Sequence, residues 1–469
     1  MNNSFNYHIK TAHTFESVRR PHYLDWSNYP SPFKFYKGVE RFSLLPFKGS
    51  IGETLDVLYG LCGEGAEDNL SLQELSDLAF AMNGVSRKKV FHGEEFLFRT
   101  TPSAGALYPF ELYFFVKDIP PLPDGLYHYQ PFNHTLELLW KKDLWELLQT
   151  ALCAEIPGNV VAVVTAIYAR SAWKYGTRAY RYCLLDAGHM VSNGVTFLRS
   201  LGLGGNAVYR FLDGKLNRLL GIDGENEFAL VALLVDKPAL HWGEEFLVTF
   251  NFPASEPVVS RPIYDREIVN THLCANLNSC EFYRDYPSSE TVFPEVGSLP
   301  LKDAILKRKS RRNFTGKRLG FNRFKHLVES SLECFPADWG FPKTSFYLQV
   351  RNVEGVKDGI YTVKEGELRP VMEGDFSGEV AYLCLSQAFI AMANVNVIFT
   401  YDFAGKENRE YRGALLEAGA LGELLYLSAE SMGLGACGVG AFYDFDLKKF
   451  LSLSEFEFPI YVVSVGIVD

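Results

Sequence analysis

The 469-residue chain has no CxxC pair, no long hydrophobic run and no excess of basic charge, and each absence removes a class of function. Its eight cysteines, at 62, 153, 183, 274, 280, 334, 384 and 437, are scattered along the sequence. That spacing fits reduced thiols better than a disulfide framework or a zinc site. The histidines, His92 and His189 among them, show no metal-ligand spacing, so no metal site is read. The longest apolar run, around Val160 to Ile167, is far too short to span a bilayer. Met1 to His8 lacks the basic and apolar regions of a secretory signal, so the expectation is a cytoplasmic protein with no membrane segment. A formal net charge of -10 argues against a nucleic-acid partner, although a local basic cluster can still serve one phosphate.

What is present is ordinary globular material, 47% hydrophobic and 22% charged, and long enough for two or three domains. Residues 1–50, rich in aromatics and prolines, read as an arm packed on a larger body. Residues 51–236 form a first domain. A helix opens near Ser71, with Glu74 three residues on as its capping box. Strands are expected at Leu112–Val116, after the Asp124-Gly125 turn, at Val160–Tyr168 and at Phe228–Val235. A long helix is expected from Ala179 to Leu201. Gly188 and Gly194 inside it cost about 1 kcal/mol each against alanine, which close packing of another element would explain. Residues 237–300, with recurrent prolines, are a connector carrying a helix around Val269 to Cys280.

Residues 301–469 repeat the first domain. Asp358-Gly359-Ile360-Tyr361 follows Asp124-Gly125-Leu126-Tyr127 by 234 residues. Tyr411-Arg412 through Ala418-Gly419 follows Tyr180-Arg181 through Ala187-Gly188 by 231, as Met432-Gly433-Leu434-Gly435 follows Leu201-Gly202-Leu203-Gly204. Several matches in one order at nearly one spacing identify a tandem duplication of an α+β domain, with a period too long for a solenoid. Two such copies are expected to pack as a homodimer would, about a pseudo-two-fold axis.

The copies differ in their polar features. The first holds Arg99-Thr100-Thr101-Pro102-Ser103-Ala104-Gly105-Ala106, small residues that let a ligand lie against the backbone. The second has Pro336-Ala337-Asp338-Trp339 there. Conversely, the second opens with Lys307-Arg308-Lys309-Ser310-Arg311-Arg312, five cations and a hydroxyl that suit either a phosphate or a solvated turn. The first has Tyr59 to Glu64 there, without a cation. A site assembled across the pseudo-dimer interface would leave one complete site and one ruined one.

These residues resemble the FMN-dependent nitroreductase superfamily, in its SagB-type (azoline dehydrogenase) branch. The match lies in Arg99, Pro102 to Ala106, Tyr108-Pro109, Glu111, Lys174-Tyr175-Gly176, Arg178 to Tyr182, Asp186 to His189 and the Arg308-x-Ser310-x-Arg312-x-Phe314 opening. The resemblance implies a mainly antiparallel sheet flanked by helices in each half, and one FMN between the halves. It implies a phosphate held by Arg308, Ser310 and Arg312, with Arg99, Pro102, Ser103, Ala104 and Gly105 arriving from the other half. It further implies a loop of Gly435, Ala436, Cys437 and Gly438 along the flavin edge, and Lys174-Tyr175 as the catalytic pair. Either member of that pair could take the proton that accompanies hydride transfer to flavin N5. The substrate the resemblance implies is a small molecule or a peptide azoline. NAD(P)H-dependent reduction of quinones or nitro compounds is the alternative direction, and a non-catalytic flavin binder or partner-positioning subunit the alternative class. No GxGxxG fingerprint is present, and the superfamily needs none.

Overall fold

The structure is a computed structural model. It describes residues 2–19, 23–60, 68–91, 93–241, 243, 250–280, 297–332, 335–338, 344–364 and 367–469. The β-branched run Val160–Ile167 is buried throughout and occupies the middle of a seven-stranded antiparallel sheet. It pairs with Phe110–Val116 on one side and Glu227–Leu234 on the other, with Leu112 opposite Val164 and Phe228 opposite Ala166. Gly125–Gln130, Thr135–Trp140 and Arg41–Ser43 extend one edge, and Asn206–Val208 closes the other. The second half repeats the order in six strands, with Val395–Asp402 at the centre between Ser345–Val350 and Glu457–Ile467. The capping box at Ser71 and Glu74 starts the helix Leu72–Asn83 as expected. The chain is thus two tandem α+β units.

The long helices Ala179–Ser200 and Asn408–Ser431 cross where the halves meet, and glycine makes the crossing possible. A Cβ on Gly188 would stand 2.1 Å from the carbonyl oxygen of Leu416, and one on Gly419 equally close to that of Leu185. The two contacts are images of each other at a spacing of 231, as a two-fold interface requires. Gly194 faces Leu233 and Met82 inside its own half. Both glycines of the first long helix therefore answer to close packing.

Two buried charge clusters flank this crossing, again as images. Arg178 and Arg181 bind Asp444 at 2.9 and 2.7 Å, and Arg409 and Arg412 bind Asp213 at 2.8 and 2.7 Å. Burial alone would raise both carboxyls, but the guanidiniums outweigh it and hold each below the usual range.

The imagery reaches further upstream than the sequence showed. The helix Asn3–Lys10 in the arm and Arg266–Leu273 in the connector occupy equivalent places. The carbonyl of Thr11 accepts from Arg178 and that of Ala275 from Arg409, while His8 meets Tyr411 as His272 meets Tyr180. The connector helix falls earlier than Val269–Cys280.

One reading is overturned. Cys153 and Cys280 form a disulfide that fastens the connector to the first half, so the cysteines are not all free thiols. Cys62 and Cys334 lie outside the described residues, as do His92, Trp339 and the 61–64 part of the segment compared with the basic run. Among the described residues no helix is long and apolar enough to cross a membrane.

Gly188→Ala and Gly419→Ala are each expected to lower stability by about 2–3 kcal/mol through overpacking. Exposed Gly378, with open space around its Cα, should accept alanine at no cost. Chemical unfolding of the three variants checks this. Asp444→Asn strands two buried guanidiniums and is expected to cost about 3–5 kcal/mol at pH 7. Because the native carboxyl titrates below its unfolded value, the wild-type advantage is present at neutral pH. It fades as pH falls through the carboxylate range, a trend that melting temperatures from pH 7 to pH 3 would record.

Candidate active site

Between the halves lies a cleft of about 730 Å³, part of it open to solvent. Pro102, Ser103, Ala104 and Gly105 form one wall, and Ser310, Arg312 and the stretch from Gly438 to Ala441 form the other. The small-residue run of one copy and the basic opening of the other thus face each other across the boundary.

The first wall is a tight turn. Gly105 has φ of +64° and sits inside a short 3-10 turn, Ala104–Ala106. The Ser103 hydroxyl donates to Asp186 Oδ2 at 2.6 Å and accepts from the Tyr108 amide at 3.0 Å. The Ala104 amide also donates to Asp186, at 3.3 Å. Lys174 and Tyr175 end the helix Ala169–Tyr175, which Gly176 stops with a positive φ. Both reach the turn: a Cβ on Gly105 would stand 2.6 Å from Tyr175 Oη and 3.3 Å from Lys174 Nζ. Tyr175 lines the cleft, edge-on to Tyr182 at 4.7 Å. Burial, aided by Tyr182 and Asp186, pushes its phenol well above the ordinary range, so it stays protonated at neutral pH.

On the second wall Ser310 Oγ meets Tyr426 Oη at 2.9 Å, and the Gly438 amide donates to the same phenol oxygen at 2.6 Å. Arg312 is exposed in the cleft, and no carboxylate pairs with it among the described residues.

Other expected site residues are placed elsewhere. Arg308 does not line the cleft; its guanidinium donates to the carbonyls of Thr100 at 2.6 Å and Arg99 at 3.2 Å, tying the halves together. Arg99 is buried against Asn83, Pro32 and the Tyr108 ring, away from the cleft, and burial lowers it to about 10. Gly435, Ala436 and Cys437 are not a loop but part of the edge strand Leu434–Val439, paired with Glu457–Ile467. Ala436 bridges Ser310 and so fixes the basic segment by backbone pairing, while Cys437 is buried behind the strand. Of that run only Gly438 faces the cleft.

The sequence reading passed over several polar groups in the cleft. Asp186 and His189 both line it. His189 bridges Glu423 at 2.7 Å and Tyr461 at 2.9 Å. A signal existed: two titratable residues three apart, hence on one face of a helix, in a segment otherwise built for burial.

In the mate of this cleft, among the described residues, the chain's own side chains take the backbone positions that are open here. Asp338 takes the amides of Tyr209 at 2.8 Å and Arg210 at 3.1 Å, the counterparts of Gly440 and Ala441. The aromatic bulk has changed sides as well. In the open cleft Tyr182 lies where a Cβ on Gly440 would strike it at 2.4 Å; in the mate Tyr209 lies against Gly413, 3.0 Å from such a Cβ.

The model of the nitroreductase family matches residues 66–235 and again 305–467. The nitroreductase-like protein MJ1384 of Methanocaldococcus jannaschii is 32% identical over 171 residues, 36% of this chain and 81% of that protein. The trifolitoxin-processing protein TfxB of Rhizobium leguminosarum bv. trifolii is 28% identical over 161 residues, 31% of this chain and 42% of its own length. The crystal structure of a nitroreductase-like protein from Anabaena variabilis superposes over the whole of both chains, with a TM-score of 0.79 and 26% identity.

Asp338→Ala should leave two buried amides without their acceptor and cost about 1–3 kcal/mol while leaving the cleft intact. Thermal unfolding reads the first effect. The second requires unchanged ligand binding in the cleft.

Proposed function

This chain belongs to the nitroreductase family, with two copies of the fold in tandem, and from that premise we propose that it is an FMN-dependent oxidoreductase of the SagB type that oxidises azolines in a peptide. One observation carries the proposal. A guanidinium without a carboxylate partner and a hydroxyl from one half share a cleft with a small-residue wall and Tyr175 from the other, and Lys174 reaches that wall at Gly105 without lining the cleft.

The residues present fit the cofactor. Arg312 and Ser310 suit a phosphate, the one supplying charge and the other a hydrogen bond. The space between the Ala104–Gly105 turn and Val439–Gly440, lined also by Tyr175 and Tyr182, would suit an aromatic ring system. Arg308 would act indirectly, by fixing the register of the two walls. When bound, FMN supplies an acceptor for a hydride. The chain's own residues handle the proton. Tyr175, kept protonated by burial, would donate a hydrogen bond, and Lys174, at the same turn, would take the substrate proton in its neutral amine form. Likeness to a trifolitoxin-processing protein supports a processing role. Likeness to a nitroreductase-like protein favours the second reading, NAD(P)H-driven reduction of quinones or nitro compounds in the same cleft.

The purified protein is expected to be yellow and to bind one FMN per chain. Arg312→Ala should weaken that binding by about 10–100-fold, measured by flavin fluorescence. Lys174→Ala should slow single-turnover flavin reduction by an azoline peptide by about a hundredfold. A colourless protein that takes up no FMN would refute the enzyme reading, and two FMN per chain would refute the composite site. Fast reduction by NAD(P)H with none by azolines would transfer the assignment to the second reading.

A further inference from the structure

Asp186 is the carboxylate in the cleft that neither the phosphate site nor the Lys-Tyr pair accounts for. It projects from the middle of a helix buried on every side and is itself 5% exposed. Such a group normally has a cationic partner, because a lone buried charge is costly. Asp186 has none within ion-pair distance among the described residues. Its partners are the Ser103 hydroxyl and the Ala104 amide, both on the turn that ends in Gly105. Gly105 in turn presents its bare Cα to Tyr175 Oη and Lys174 Nζ. The carboxylate is thus bonded to two residues of the turn, and the third, Gly105, leaves the space a side chain would take to the pair at the helix end.

We propose that Asp186 is the positioning residue of this site: its carboxylate holds the Ser103–Gly105 turn, the turn holds Lys174 and Tyr175, and the gain or loss of one proton on Asp186 shifts that pair. This inference rests on the assignment of Lys174 and Tyr175 made above. The groups that face Asp186 are Tyr175 from the preceding helix, Tyr182, Cys183 and His189 on its own helix, Tyr461 from the second half and, across the cleft, Arg312. Burial raises the Asp186 carboxyl to about 7, and the bonds from Ser103 and Ala104 only partly offset it. The switch therefore falls within the neutral range.

The linkage has a definite sign. A carboxyl whose native value lies above its unfolded value contributes most stability at low pH, and that contribution is lost as pH rises through the native value. Asp186→Asn keeps an acceptor for Ser103 and Ala104 but cannot ionise. Its melting temperature relative to wild type is thus expected to climb between pH 5 and pH 8, in protein free of FMN as well as loaded. In the loaded protein, the single-turnover rate of flavin reduction should vary about tenfold between pH 6 and pH 8 in wild type, and the step centred near neutral pH should be absent in Asp186→Asn. Ser103→Ala, which removes a bond that favours the charged form, should move the midpoint of both profiles to higher pH.

A wild-type pH dependence that persists unchanged in Asp186→Asn overturns the proposal. So does a melting-temperature difference between the two proteins that stays constant from pH 5 to pH 8. Failure to bind FMN would instead count against the proposed function, since the stability profile needs no cofactor.

Discussion

Everything in this molecule hangs on a charge arrangement made twice: two arginines at the start of a long helix, one of them in the first copy just before it, closing on one aspartate of the other half. Arg178 and Arg181 reach Asp444, and Arg409 and Arg412 reach Asp213. All six side chains are buried, so an unmatched member would be left as a bare charge in a poor solvent for charge. That penalty fixes register more than it adds stability. With Gly188 and Gly419 it admits one way for the long helices to cross. The same arginines also collect the carbonyls that end the helices Asn3–Lys10 and Arg266–Leu273, so segments that look like an arm and a connector are drawn into the interface.

The cleft inherits its geometry from this clamp. Arg178 lies three residues beyond Tyr175, and its second nitrogen donates at 3.0 Å to the carbonyl of Gly440, on the opposite wall. One guanidinium thus touches both the interface and the lining of the site. Arg308 does the complementary work, anchoring the basic segment to the backbone just before the small-residue turn.

Much of this was legible in the sequence because it rests on local or periodic constraints. The capping box at Ser71, the β-branched run at Val160 and the repeat spacing of 231 each name their own structural cause. The meeting of Pro102–Gly105 with Ser310 and Arg312 was legible because each copy had lost what the other kept. What escaped was decided by partners distant in the chain. An arginine satisfied by carbonyls, like Arg99 or Arg308, is spelled the same as one awaiting a phosphate. The family resemblance implies a loop at Gly435 to Cys437, yet here the segment is an edge strand and the glycine at 435 admits the side chains of Arg311 and Val468. The helix Arg266–Leu273 hid its kinship with Asn3–Lys10 because little beyond the histidines His8 and His272 is shared. Asp186 stands within the run that carries the family resemblance, and nothing in that run beyond its spacing from His189 marks it as part of the cleft.

The mate site has a thermodynamic consequence. Asp338 and the Tyr209 ring behave as a ligand that is covalently attached to its own receptor. Such a ligand acts at a fixed effective concentration that dilution cannot lower. The amides of Tyr209 and Arg210 are therefore held by the chain itself, whatever the solution contains. A free ligand in the open cleft biases folding by a single logarithmic increment in its concentration. The duplication has in this way turned a symmetric assembly into one with a constant end and a responsive end.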